Sequence, residues 1–245
     1  MSIVWSSISR AGGRRTNEDY CSAASIGDSH IWTVADGMGG HHGGEVASQL
    51  AVESMLHYFS QKPEVNHENL QACLQFANHQ MLTTQASQAH LSKMQTTVVT
   101  VMADRSNTAI AHLGDSRCYL FQHGKIIWQT KDHSVVQKLV NQGEIEEKEM
   151  RNHEDRNKVL KSLGKDQHMN PSIHLLNRPL AEGDGILLCT DGFWEYVLEA
   201  EMEVDYFKAR TPEDWLKMME NRLRTRVEKN HDNYTAIAVI VDGHF

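Results

Sequence analysis

Asp36 closes the apolar run WTVAD and is followed by five glycines in the eight positions 37–44. Backbone N–H groups bared by glycine can approach an anion closely, which makes phosphate the first chemistry to test. Neither phosphate-loop pattern fits. The dinucleotide pattern G-x-G-x-x-G needs glycine where His42 stands, and the nucleotide P-loop spacing, Gly39 to Gly44, runs into Glu45 where lysine is required. The acid in front of the glycines is what needs explaining.

The arrangement recurs. ILLCTD ends in Asp191-Gly192, AHLGD ends in Gly114-Asp115, and Asp232 stands just ahead of the apolar run YTAIAVIV. Singly, each is ordinary turn chemistry, because Asp and Gly favour hairpins and turns. Jointly, four strand ends carry an ionised oxygen ligand where Asn or Ser would turn the chain equally well. Glu18-Asp19, in RRTNEDY, adds two carboxylates ahead of the β-like run YCSAASI. Carboxylates gathered at short range repel one another unless cations sit between them. Oxygen ligands in this number suit Mg²⁺ or Mn²⁺, whereas zinc prefers His and Cys. Glycine after Asp36 lets the Gly37 carbonyl turn toward such an ion. Two ions roughly 3.5–4 Å apart would hold a water between them and lower its pKa toward neutrality. Arg14 would clamp a phosphate dianion bidentately. This equipment belongs to phosphoester hydrolysis. A zinc hydrolase built on the adjacent His41-His42 is the rival, but no H-E-x-x-H occurs, and the other histidines are scattered among polar residues as on a solvated surface.

The elements that must position these acids are mostly strands. Runs at 3–9, 30–36, 96–103, 108–115, 117–122, 125–129, 185–191 and 234–241 are rich in β-branched and aromatic residues and separated by Gly, Asp and Asn. Three helical patterns interrupt them. Val46, Ala47, Leu50, Ala51, Met55, Tyr58 and Phe59 share one stripe; Leu70, Cys73, Leu74, Ala77 and Met81 share another behind an Asn66 cap. Thr211-Pro212 opens the third, which buries Trp215, Met219, Leu223 and Val227. Strict βαβ alternation is absent, so an α+β layered fold with largely antiparallel sheets is expected. No repeat or linker divides residues 1–245, and one domain is expected. Residues 141–166 are densely charged and weakly periodic, either a solvated helical face or a flap over a site.

A net charge of −8 argues against nucleic acid or an anionic membrane as the main partner. The N-terminal residues lack the order of a secretory signal, and no run approaches the roughly 18 apolar residues of a membrane helix, so a cytoplasmic location is expected. Cys21, Cys73, Cys118 and Cys189 form no C-x-x-C pair and read as reduced, mostly buried thiols. None stands in the C-x₅-R setting of a cysteine-based phosphatase.

RRTNED, VADGMGGHHGGEVAS, the threonine pair 96–97, LGDSR around Asp115, DHS at 132–134, LCTDGFWE and DNYTAIAV fall in the order and spacing of the metal-dependent protein phosphatase 2C (PPM) family, which the chain resembles in its short bacterial form. The resemblance spans positions 14–239. It implies a four-layer αββα sandwich, two antiparallel sheets flanked by helix pairs, with the site in a cleft at one end. It implies that Asp36 bridges two Mn²⁺ or Mg²⁺ ions, with Asp191 and Asp232 completing the first and the Gly37 carbonyl with Glu18 and Asp19 serving the second. Arg14 then matches the phosphate-binding arginine, and Asp115 with Asp191 a weaker third metal site. The segment 141–166 takes the place of the family's variable flap. Two departures stand out: Gln95 replaces the usual glycine before the threonines, and Met38 stands where many eukaryotic members carry a histidine proposed as general acid. His41 matches the histidine of bacterial DGMGGH loops and suits a proton donor of near-neutral pKa. The implied activity is hydrolysis of phosphoserine and phosphothreonine in proteins by a free, monomeric catalytic domain, with a cognate Ser/Thr kinase as the expected partner. The alternative is a catalytically silent relative that binds phosphoproteins, which loss of a metal aspartate would favour; none is lost.

Overall fold

Side chains along a strand point alternately to opposite faces, so a strand buried on both faces reads as an unbroken apolar run. Such runs build the centre of this protein, described in a computed structural model for residues 2–40 and 42–241. The chain begins with β1 (Ile3–Arg10), β2 (Asp19–Ile26) and β3 (Ser29–Met38), then helices α1 (Gly43–Gln61) and α2 (His67–Ser87). Five strands follow: β4 (Gln95–Thr96), β5 (Val98–Ala103), β6 (Thr108–Leu113), β7 (Arg117–Gln122) and β8 (Lys125–Gln129). After α3 (Val135–Gln142) come β9 (Ser172–Leu176), β10 (Asp184–Cys189), α4 (Asp191–Trp194), α5 (Glu199–Lys208), α6 (Pro212–Arg224) and β11 (Tyr234–Val241).

One sheet has the order β1-β11-β10-β7-β8; the other has β2-β3-β5-β6-β9, with β4 extending the end of β3. Neighbouring strands pair antiparallel throughout both sheets. Trp32, Val34, Val99, Val101 and Ile110 of the second sheet meet Leu120, Ile186, Leu188, Ile237 and Val239 of the first in a core between the sheets. The alternate residues Ile31, Val98 and Met102 turn outward onto α1 and α2. On the other side, Tyr119, Phe121, Leu187, Ala236 and Ala238 turn onto α5 and α6. The result is the expected αββα sandwich.

The helices start where the sequence says they should. The Asn66 side chain accepts the Asn69 N–H at 2.8 Å, and the Thr211 hydroxyl accepts the Asp214 N–H at 3.1 Å with Pro212 at the first helical position. Ala47, Ala51, Met55 and Phe59 of the first stripe are fully buried, and so is every expected residue of the second. Val227 lies beyond the end of α6 and is only partly buried.

Other expectations need correction. The run 96–103 is broken at Thr97 into β4 and β5, the strand before Asp191 stops at Cys189, and Asp115 lies in a turn beyond β6. α3, α4, α5 and β9 have no counterpart in the sequence reading: α5 buries only Met202, Asp205 and Tyr206 among acidic neighbours, too narrow a stripe to register as periodic. His112 is buried beneath a stacked His133, ring centroids 4.5 Å apart, and so departs from the solvated histidines expected. Cys73, Cys118 and Cys189 are buried free thiols, and Cys21 is half-buried. Among the described residues no helix is long and apolar enough to cross a membrane.

Trp215 packs edge-on to Phe121 and Tyr206 at 4.9 and 4.8 Å and donates its indole N–H to the Met202 carbonyl at 3.1 Å. Trp215→Ala is expected to destabilise the protein by about 3–5 kcal/mol, read as a lower urea midpoint. A shift well under that would mean the α5–α6 layer is not packed as described.

Candidate metal centre

The acids gather at one end of the sandwich because the two sheets end there together. Asp19 and Asp36 lie directly opposite in the β2–β3 ladder, a like-charge pairing that costs stability unless something offsets it. Asp191 is the first helical residue of α4, and its Oδ1 accepts the Gly192 N–H at 2.6 Å. Thr190, just before it, donates its hydroxyl to Asp19 Oδ2 at 2.9 Å and so ties the first sheet to the second. Asp232 precedes β11, where its Oδ1 accepts the Asn233 N–H at 2.9 Å. The Asn233 amide in turn holds the chain before β2: it accepts from Glu18 N–H at 2.8 Å and donates to the Ala11 and Thr16 carbonyls.

The glycines of the loop have two distinct uses. A Cβ on Gly37 would stand 2.0 Å from the Gly44 carbonyl oxygen and 2.6 Å from that of Glu18, so no other residue fits beneath the first turn of α1. A Cβ on Gly44 would lie 2.7 Å from the Glu18 carboxyl carbon and 2.8 Å from the Gly37 carbonyl oxygen. The Glu18 carboxylate and the Gly37 carbonyl therefore both border the space that the missing Gly44 side chain leaves open. Gly40, at φ +57°, turns the loop in the left-handed region that glycine enters without strain. His42 adopts φ 66° as the residue before α1. His41 lies outside the described residues.

Crowding shows in the electrostatics. Burial, then the charges of Asp19, Asp191, Asp115 and Asp232, push the Asp36 carboxyl far above the usual carboxylate range. Burial raises Asp19 to about 8, opposed by the nearby Thr235 hydroxyl and the hydrogen bond from Thr190, and reinforced by Asp191 and Asp232. Asp191 rises to about 6 through burial and Asp232. Asp115 rises well above its ordinary value through burial and Asp191, and Glu18 rises through burial and Asp232. Five aspartates from both sheets thus repel across one small volume.

The donors are all oxygens, which fits Mg²⁺ or Mn²⁺ and not zinc. Among the described residues no three His, Cys, Asp or Glu side chains already converge closely enough to hold an ion by themselves. Mg²⁺ in particular keeps several waters and needs only one or two carboxylates. The fit rests on two features: Asp19 Oδ1, buried without any hydrogen-bond partner, and the paired Glu18–Gly37 oxygens. Such an orphaned acceptor costs stability unless a ligand satisfies it.

Arg14 stands at the rim, about half exposed, with its Nη2 3.0 Å from Asp232 Oδ2. The charged segment 141–166 packs beside this end: Arg151 Nη2 donates to both Glu199 carboxylate oxygens, Leu163 exchanges backbone hydrogen bonds with Thr96, and Arg156 Nε lies 3.2 Å from Glu195 Oε1. Glu195 caps the C-terminal end of α4 and is raised to about 7 by burial and the Asp191 charge. Sequence reasoning missed Thr190, Asn233 and Glu195, although the first two adjoin a motif aspartate and the third caps the helix that Asp191 begins. A groove of about 720 Å³ along α2, lined by residues such as Asn78, His79 and Leu82, includes none of these acids.

Raised carboxyl pKa values fix the sign of a pH effect. Between the unfolded value of about 4 and the folded values of about 6 and about 8 for Asp191 and Asp19, the folded chain binds more protons than the unfolded one. Stability of the metal-free protein therefore falls as pH rises through that window. Calorimetry in chelator is expected to give a higher Tm near pH 5 than near pH 8; a Tm that climbs over this range contradicts the crowding.

The model of the protein phosphatase 2C family matches residues 9–233. The serine/threonine phosphatase stp of Listeria innocua is 36% identical over 178 residues, which cover 71% of this chain and 70% of that protein. The crystal structure of Stp1 from Staphylococcus aureus aligns with a TM-score of 0.87 at 28% identity, covering 99% of this chain and 96% of the other. The catalytic domain of PstP, crystallised in complex with two manganese ions, aligns with a TM-score of 0.82 at 28% identity over 97% of each chain. With the family model spanning nearly the whole length and the fold shared end to end, this chain belongs to the protein phosphatase 2C family.

Proposed function

We infer that this protein is a Mn²⁺- or Mg²⁺-dependent phosphatase that hydrolyses phosphoserine and phosphothreonine in proteins. The observation that carries the reading is the gathering of Asp19, Asp36, Asp191 and Asp232 from both sheets at one end of the sandwich, each repelling the others. Relatives named as serine/threonine phosphatases and a structural neighbour holding two manganese ions support it.

Asp36, central to the set, would be shared between two ions, with Asp191 and Asp232 on one side and Glu18, Asp19 and the Gly37 carbonyl on the other. Asp115, which feels Asp191 most strongly among its charged neighbours, would serve a third and weaker site with it. Bound divalent ions supply charge neutralisation and water activation, the two things hydrolysis of a phosphate monoester needs at neutral pH. Arg14 would leave Asp232 to grip the phosphate dianion, a charge-assisted bidentate contact that fixes the phosphorus in line for attack. His41, chosen from its position in the sequence DGMGGH, would donate the proton to the leaving alcohol. The segment 141–166, held to the rim by Arg156 and Glu195, would act as the flap against which the protein substrate rests. One catalytic domain, acting as a monomer in the cytoplasm opposite a Ser/Thr kinase, completes the reading.

Chelation is expected to abolish release of phosphate from an aryl phosphate and from a phosphothreonine peptide, and Mn²⁺, not Zn²⁺, to restore it. Asp191→Asn should remain folded by circular dichroism yet lose nearly all turnover; retained turnover would remove Asp191 from the centre. Arg14→Ala should lower kcat/KM by about 10–100-fold, the worth of a hydrogen bond to a charged group, and unchanged kcat/KM would take Arg14 out of phosphate binding.

A further inference from the structure

The hydrogen bonds on the Asp36 backbone lead to one side chain. Thr97, in the break between β4 and β5, is fully buried, and its Oγ1 accepts the Asp36 N–H at 3.1 Å. Its own N–H donates to the Asp36 carbonyl at 2.9 Å, and Thr96 Oγ1 donates to the same oxygen at 2.8 Å. The peptide groups on both sides of Asp36 are therefore held by the threonine pair.

Thr97 Oγ1 also lies 2.7 Å from Ser116 Oγ, which is itself buried. Ser116 ends the turn 114–116 that carries the chain from β6 in one sheet to β7 in the other, and Asp115 is the middle residue of that turn. Gly114, at φ +105°, accommodates the contact: a Cβ there would stand 2.6 Å from Thr97 Cβ and Cγ2. On its far side the turn is fastened by His133 N–H to the Gly114 carbonyl at 2.8 Å and by the Trp194 indole N–H to the Asp115 carbonyl at 2.9 Å. Each of these bonds grips backbone or hydroxyl and leaves the carboxylates of Asp36 and Asp115 for another purpose.

The geometry points to Thr97 as a positioning residue: its hydroxyl, shared between the Asp36 N–H and Ser116 Oγ, sets the spacing of Asp36 and Asp115 across the two sheets and thereby the affinity of the centre for its ions. This rests on the phosphatase reading above. A side chain needed only for volume would be replaced equally well by valine, which has the shape of threonine without the hydroxyl. Outer groups that orient metal ligands typically cost about 10–100-fold in metal affinity when removed, and that is the effect expected here.

The test compares wild type, Thr97→Val, Thr97→Ser and Ser116→Ala, each stripped with chelator and titrated with Mn²⁺ alone in a calorimeter. Thr97→Val and Ser116→Ala are expected to bind Mn²⁺ about 10–100-fold more weakly, while Thr97→Ser, which keeps the hydroxyl, binds as wild type. With Mn²⁺ in excess, the two weakened variants should show lower kcat on an aryl phosphate with KM unchanged. Wild-type Mn²⁺ affinity in folded Thr97→Val, whatever its Tm, overturns the proposal, because a purely structural role moves Tm and leaves metal affinity alone. Should Thr97→Val fail to fold, Ser116→Ala breaks the same link from the other side, and wild-type affinity there is equally decisive. Wild-type protein that binds no Mn²⁺ overturns the phosphatase reading itself, a result distinct from either.

Discussion

Mutual repulsion among buried carboxylates is the constraint around which this fold is arranged. Asp19, Asp36, Asp115 and Asp191 each sit with a carboxyl group displaced upward by burial and by the charges of its neighbours. A hydrophobic sandwich has no intrinsic use for such a cluster, since one unpaired buried charge already costs several kcal/mol in practice. The cluster persists because the surrounding structure over-determines it. Ladder pairing fixes Asp19 against Asp36, the Thr190 hydroxyl ties Asp19 to the other sheet, and Asn233 locks the approach to Glu18. Divalent cations are the natural counterpart, because they convert the repulsion into coordination without adding a protein side chain.

The αββα architecture supplies the rigidity this demands. The strands that bear or adjoin the acids run through the core between the sheets, so their backbones cannot shift without disturbing Trp32, Val34, Leu188 and Ile237. The ends of those strands nonetheless reach the protein edge, where an ion and a substrate can enter. Close backbone approach at Gly37 and Gly44 brings α1 against β3 and leaves room for the oxygens of Glu18 and Gly37. The ion pairs of Arg151 and Arg156 then fold the charged segment against α4 and α5 beside the same edge.

Much of this was legible in the residues. Runs rich in β-branched and aromatic residues marked most of the strands, and the stripe at Leu70–Met81 and the Thr211-Pro212 start placed two helices correctly. The strand-end aspartates were visible as a repeated oddity, and the ordered motifs grouped them as one candidate site. What escaped has physical reasons. α5 buries too few side chains to leave a period, and β9 is an edge strand whose residues are only partly covered. Thr97 and Asn233 act through backbone hydrogen bonds between segments far apart in sequence, a relation that spacing alone cannot display. The sequence reads Gly37 as freeing its carbonyl to turn, whereas the structure adds a steric need: a Cβ there would stand 2.0 Å from the Gly44 carbonyl oxygen.

The central claim is that divalent ions occupy the space between these carboxylates, with Asp36 shared. Anomalous diffraction at the manganese edge from crystals grown in Mn²⁺ tests it most directly. The account predicts two strong peaks flanking the Asp36 carboxylate, one beside Asp191 and Asp232 and one beside the Gly37 carbonyl and the Glu18-Asp19 pair. Manganese peaks lying elsewhere, with none in coordinating distance of Asp36, would contradict it.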